Sequence, residues 1–497
     1  MNGVLPLDVD GLLVTADNPP RTDVVGMDHA RCAGLHNYLV QYAWLAEGRP
    51  PASLHRNNNN TFFTAHGAAA EALRPRLDPS VAAFLDAATL PPADDGFETA
   101  PFFFWAEGLS DPDYLLADDM DDLHDEPEDT FLCLYFPNVG QGGEFGGGLL
   151  YHQRRHRAAV FMHRDDHDYA TPVAAHPELW HPLETVLSNW IDLVRLGKIA
   201  AAPRAEPAPY DAEKIGPWEW RSYSAAQVTA CVGAWDRLCD AVEALLPSSS
   251  SSSSNGTTED TSRQPLLAPA ALDAAEVPED CFARDFLTRA RRPRFRRIAP
   301  GLLVPPADAG EFGAAQRFTR VPRTAHCIPP VCLFPAAGER QPEADVAGFR
   351  NPFCGPFRAG LGGVGVPFRV PAGVYSESVE RDTYGGSEEG FRLLLPYDFD
   401  ARVDEMSLVL GMGGGARLSD GSLVRRGTAT WLFQHGYKPF GGDFYRPQRL
   451  ERLLDHWRAL VEQGVWAVGP DGVEGSIDTF READAERWRE YRIPPTW

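Results

Sequence analysis

The chain has 497 residues and a formal net charge of −24, from 70 Asp and Glu against 46 Lys and Arg. A surface this acidic repels phosphate backbones and anionic lipid heads, so neither a nucleic-acid partner nor a membrane partner is expected. Hydrophobic residues at 43% and aromatic residues at 11% exclude a disordered chain, and the length suits roughly two to four domains.

Met1 to Asp10 offers no cationic head and no apolar run of signal-peptide length. No stretch reaches the ~18–20 apolar residues of a bilayer span. A soluble, cytoplasmic protein is the expectation. The eight cysteines, Cys32, Cys133, Cys231, Cys239, Cys281, Cys327, Cys332 and Cys354, form no C-x-x-C pair. Dispersed in this way, they suit reduced, mostly buried thiols and neither a disulfide framework nor a zinc ribbon.

In chain order, Asp28 to Ala46 predicts the first helix, with Cys32, Leu35, Leu39, Tyr42 and Leu45 on a helical period and Gly48 as a stop signal. A short helix is expected at Pro79 to Ala88, and strands at Thr130 to Phe136 and Ala158 to Met162. Pro182 suits the first turn of a helix whose face is Leu183, Val186, Leu187, Trp190, Ile191 and Val194. Ser224 to Gln227 reads as a capping box before another helix. The seven serines from Ser248 to Ser254 cannot bury apolar surface. They divide residues 1–246 from 265–497, so 247–264 is either a disordered linker or an insertion within one fold.

Beyond this boundary Gly and Pro abound. The run Arg289 to Arg297 reads as a solvated helix end followed by an edge strand. Strands are expected at Phe391 to Leu395, Met406 to Leu410 and Thr428 to Gln434, with Asp420-Gly421 turning a hairpin. Helices from Pro447 to Gly464 and from Phe480 to Tyr491 close the chain. The fold class is therefore α+β: a mainly helical first half, then a Gly/Pro-rich, mainly antiparallel-β second half closed by C-terminal helices.

The motif matches fail in context. Gly360-Leu-Gly-Gly-Val-Gly365 fits G-x-G-x-x-G, but Pro356, Pro367 and Pro371 leave no helix to receive a phosphate. Gly411 to Ala416 precedes a hairpin. Asp8-Val-Asp-Gly-Leu12 resembles the nucleophile motif of haloacid-dehalogenase phosphatases over five residues, with Leu12 where that family has Thr. Asp118-Asp-Met-Asp-Asp122 resembles the metal motif of terpene cyclases, which are all-helical. Asp111 to Asp129 holds ten carboxylates, and such a block is usually solvated.

One constellation remains. Six of the 14 histidines lie between His152 and His181. His152 and His156 are four apart, as are His163 and His167, and on a helix each pair would share a face and clamp one metal ion. Asp165 or Asp166 would complete a 2-His-1-carboxylate set or act as general base. The cofactor expectation is accordingly a divalent metal ion, bound by His152, His156, His163 and His167. Arg154, Arg155, Arg157 and Arg164 oppose this, because cations beside a metal are unfavourable, and Asp-Asp-His-Asp reads also as a loop. The expected function is an intracellular enzyme acting on a small-molecule substrate, by metal-assisted hydrolysis or oxygen chemistry at residues 152–181. Such a site would need Asp118–Asp122, His152–Asp168 and His435–Lys438 to converge on one pocket. The alternative is a non-catalytic interaction or scaffold protein with a protein partner, marked by a broad apolar patch.

Overall fold

A computed structural model describes residues 8–54, 60–92, 102–117, 121, 126–138, 147–162, 166, 172–212, 214–247, 264–338, 341–358, 365–383, 385–399, 415–424, 429–437, 440–442 and 447–495. Helices and several mainly antiparallel sheets make a mixed α+β protein. The chain divides into two compact units, the first comprising 1–221, 437–444 and 495–497, the second 222–436 and 445–494. The division at Arg221 precedes the Ser-rich tract. It places the helix that Ser224 opens in the second unit.

In the first unit, α1 (His29–Ala46) is opened by Asp28, whose carboxylate accepts from the Arg31 backbone N–H. Then come α2 (Phe62–His66), α3 (Pro79–Ala87), β1 (Ala106–Leu109), α4 (Pro112–Leu115), β2 (Phe131–Pro137), β3 (Gly148–His152), β4 (Arg157–Phe161), α5 (Leu183–Arg195), β5 (Ile199–Ala201), β6 (Lys214–Ile215) and β7 (Trp218–Trp220). The last three form an antiparallel sheet in the order β5-β7-β6, and the first four strands another in the order β1-β2-β3-β4. β3 is buried at every position, so both faces of the sheet are covered. On one face Phe131, Leu150, Ala159, Phe161 and Trp180 cluster. A second aromatic core joins Phe103, stacked on Trp190 at 4.7 Å, to Trp105 and Trp218. A returning segment completes it. Phe440 O accepts from Trp190 Nε1 at 2.8 Å, and Gly441 lies so close that a Cβ there would come within 2.7 Å of the Trp105 ring.

The second unit packs α6 (Ala225–Leu245) on a later helix and follows it with α7 (Phe282–Arg289). Here β8 (Arg297–Ala299) and β9 (Leu302–Leu303) form a hairpin through Gly301. α8 (Ala309–Ala315), β10 (Cys332–Pro335), β11 (Gly373–Ser376), β12 (Phe391–Leu394), α9 (Leu450–Glu462), β13 (Val468–Gly469) and β14 (Gly472–Val473) follow. One sheet runs β10-β11-β12, all antiparallel; the other runs β13-β14-β8-β9 with β14 parallel to β8. β8 thus lies inside its sheet, where the Arg-rich sequence suggested an edge. Asp240 and Glu243 supply the charge it needs nearby, taking Arg291 at 2.6 and 3.2 Å. Buried ion pairs join Glu377 to Arg392 and Arg381 to Glu388, each at 2.5 Å.

Two expectations yield to local geometry. Ala429–Trp431 is a 3-10 turn and not part of a strand, and Phe480 to Tyr491 is two 3-10 segments, Ile477–Asp484 and Trp488–Tyr491. The strand expected at Met406 to Leu410 lies outside the described residues.

Candidate functional site

The first unit holds a cavity of about 540 Å³. Its floor is apolar, with Leu90, Pro91, Phe102, Leu109 and Phe136, and its polar groups are Asn60, His66, Glu107, Ser110 and Asp111. Short elements position these groups. Thr61 and Thr64 form a reciprocal capping box that opens α2, and His66 ends it. Glu107 projects from β1. Asp111 sits at the N-cap of α4 without using its carboxylate as the cap, which leaves Oδ1 facing His66 Nε2 at 3.7 Å. That distance is an ion-pair approach and too long for a hydrogen bond.

His36 forms part of the wall and is no catalyst. Its Nε2 meets the Thr89 carbonyl and its Nδ1 the Tyr135 hydroxyl, both at 2.9 Å. A carbonyl only accepts, so Nε2 carries the proton and Nδ1 accepts from Tyr135. Burial pushes its pKa down to about 4, against a small opposing effect of the Thr89 bond. A neutral imidazole with both nitrogens engaged then stacks on Phe102 at 4.6 Å. Ser110 finds no base in Cys133: its hydroxyl donates to Cys133 Sγ at 3.5 Å, and burial raises the Cys133 thiol pKa. Asn60 differs from both. Its Nδ2 is buried with no acceptor among the described residues, a deficit worth roughly 1–3 kcal/mol.

Of the residues singled out by sequence, His163, Asp165 and His167 lie outside the described residues, as does Lys438. His152 ends β3, and His156 sits in the turn that leads to β4, with φ at +52°. No helix carries them. His156 Nδ1 meets the Tyr151 hydroxyl at 3.2 Å, and Tyr151 leaves the strand on the face opposite to His152. His152 Nδ1 accepts from the Arg155 N–H at 3.2 Å, while its buried Nε2 has no hydrogen bond among the described residues and lies 3.8 Å from Glu126 Oε1. Burial lowers the His152 pKa, and Glu126 partly offsets this. Asp166 Oδ2 accepts from the Met162 N–H at 2.6 Å. Among the described residues no three His, Cys, Asp or Glu side chains are placed to share a metal ion.

Asp121, the described member of the acidic motif, is buried and not solvated. Its two oxygens accept from the Phe131 and Thr130 N–H groups at 2.8 and 3.2 Å, tying down the start of β2. No described member of the three polar segments lines this cavity. Asn60 and His66 come from one stretch of sequence and Glu107 and Asp111 from another about forty residues later, and only Asp111-Pro112 carries a local signal, that of a helix start.

No helix among the described residues is long and apolar enough to cross a membrane. Comparison with known protein families, with curated proteins and with solved structures gives no match for this chain.

Proposed function

We propose that the chain is an enzyme acting on a small molecule held in the first unit's cavity, with His66 and Asp111 exchanging a proton with it. The observation that supports this most is the buried Asn60 Nδ2, unanswered among the described residues, in a cavity of about 540 Å³, which lies within the ~300–1,000 Å³ typical of ligand sites. A ligand acceptor at Asn60 would satisfy that amide. The Phe102 and Phe136 floor suits a flat apolar body, and the Glu107 and Asp111 carboxylates suit a basic head. The described residues with large exposed apolar side chains are Val25, Tyr114, Tyr210, Leu245 and Phe368, spread along the chain, so less supports a scaffold. The test is thermal-shift titration with an aromatic amine amide, phenylalanine amide, whose carbonyl is the acceptor. Wild-type protein should shift, and Asn60→Ala or Asp111→Ala should weaken binding roughly tenfold, as loss of one charge-assisted or buried hydrogen bond does. No shift at millimolar probe, or equal shifts in all three proteins, would sink the reading.

A second reading keeps the metal ion. His152 Nε2 and Glu126 Oε1, 3.8 Å apart, are close to the ~3.4 Å separation of two ligands on one tetrahedral zinc. Further ligands would have to come from His163, Asp165 or His167. Elemental analysis of untagged protein, with a melt before and after chelation, decides it. Stoichiometric metal and a lowered melt support the site; metal-free protein with an unmoved melt removes it.

A further inference from the structure

The second unit has its own cavity, of about 500 Å³, bordered by the end of the Arg-rich run. Two of the run's six arginines are met by carboxylates within the unit: Arg291 pairs with Asp240 and Glu243, and Arg294 Nη2 lies 3.7 Å from Glu243. Arg292 is held differently. Its Nη2 donates to the backbone carbonyls of Pro305, at 3.0 Å, and Leu266. Its other three N–H groups meet no acceptor among the described residues. Carbonyl oxygens orient a guanidinium but bring no countercharge. Accordingly burial lowers the Arg292 pKa with no carboxylate acting against it.

Arg296 lines the same cavity, exposed and without an ion pair among the described residues. Glu311 also lines it, exposed and paired with neither arginine. Phe295, Val304 and Pro335 supply apolar wall. Glu339 and Arg340, between the lining residues Gly338 and Gln341, lie outside the described residues. In a chain of net charge −24, two unpaired guanidiniums on one concave surface run against the general field.

We propose that this cavity binds a small organic oxyanion, a carboxylate or phosphate ester carrying an apolar group, anchored by Arg292 and seconded by Arg296. Arg292 is pre-oriented by its two carbonyls, so a ligand oxygen meets donors already fixed in place, and the anion provides a countercharge that no described residue gives Arg292. The apolar walls take the rest of the molecule.

Isothermal titration of the full chain with benzoate, phenyl phosphate and neutral benzamide tests this. At least one anion should bind, weaken as chloride rises, and exceed benzamide by roughly tenfold or more. Arg292→Gln should lose that binding. Arg296→Gln, at an exposed position that leaves the Leu266 and Pro305 bonds intact, should weaken it roughly threefold, so the test survives if Arg292→Gln fails to fold. Asn60→Ala should leave it unchanged, which separates this site from the first unit's cavity. Binding of benzamide as tight as benzoate, no binding of either anion, or affinities indifferent to both arginine variants would overturn the proposal.

Discussion

At the scale of single residues, chemistry depends on which nitrogen or oxygen is still available. Two histidines of the first unit make the contrast. His36 has both nitrogens engaged and burial holds its pKa near about 4; His66 is partly open and faces Asp111. The His36 shift has a measurable consequence. Its folded pKa lies below the unfolded 6.5, so the unfolded chain takes up the proton first. Stability from this group is therefore fully present above about pH 6.5 and is lost as pH falls towards 4, a change of about 3 kcal/mol. Urea melts at pH 7 and pH 4.5 should show His36→Phe less stable than wild type at pH 7 but flatter between the two. An unchanged pH slope would mean that His36 is not the neutral wall its bonds indicate. Sequence alone could not sort these residues. It weighted the dense group at 152–181, whereas availability is decided by partners such as Tyr135 and Thr89, distant along the chain.

At the scale of elements, caps and periodicity were readable, as were the strands Phe131–Pro137, Arg157–Phe161 and Phe391–Leu394, while most of the shorter strands were not. Asp28 and Ser224 each accept from a backbone N–H two or three residues into their helices, which is why those boundaries were legible to within a residue. Strands of two or three residues carry too few alternations to show a period, and the Arg-rich approach to β8 disguised an interior strand. The His152–His156 spacing misled for a related reason, since four residues span one helical turn and also the tight turn of a hairpin. Gly301 marks where an element has no slack. With φ at +66°, a Cβ there would stand 2.1 Å from Ile477 N. Gly301→Ala should cost about 2–4 kcal/mol, strain and overpacking together. Gly464, at φ +70° with nothing near its Cβ position, should lose only about 1 kcal/mol as Ala. Chemical denaturation of both variants checks the difference; equal costs would show that the β8–β9 turn yields.

At the scale of the whole molecule, the two compact units are not two consecutive stretches of sequence. The Ser-rich tract left a linker and an insertion within one fold both open, because composition reports solvation and says nothing of which late residues return to an early core. Residues 437–444 do return. Phe440 is buried, its carbonyl receives the Trp190 N–H, and its ring lies tilted against His181 at 4.9 Å. A fragment of residues 1–221 lacks all of this. It should melt about 10 °C below the same fragment fused to 437–444, from lost burial and an unanswered indole N–H. Equal melts by circular dichroism would show the returning segment to be dispensable.

That return also sets a timetable on the ribosome. The aromatic core around Trp105 and Trp190 is finished only when Phe440 and Gly441 have been synthesised, more than two hundred residues after Arg221. At translation speeds of about 5–20 residues per second, the nascent first unit waits roughly ten to forty-five seconds with one wall missing. Over that interval one side of its indole cluster stays uncovered, and a pause in translation before residue 437 would prolong the exposure.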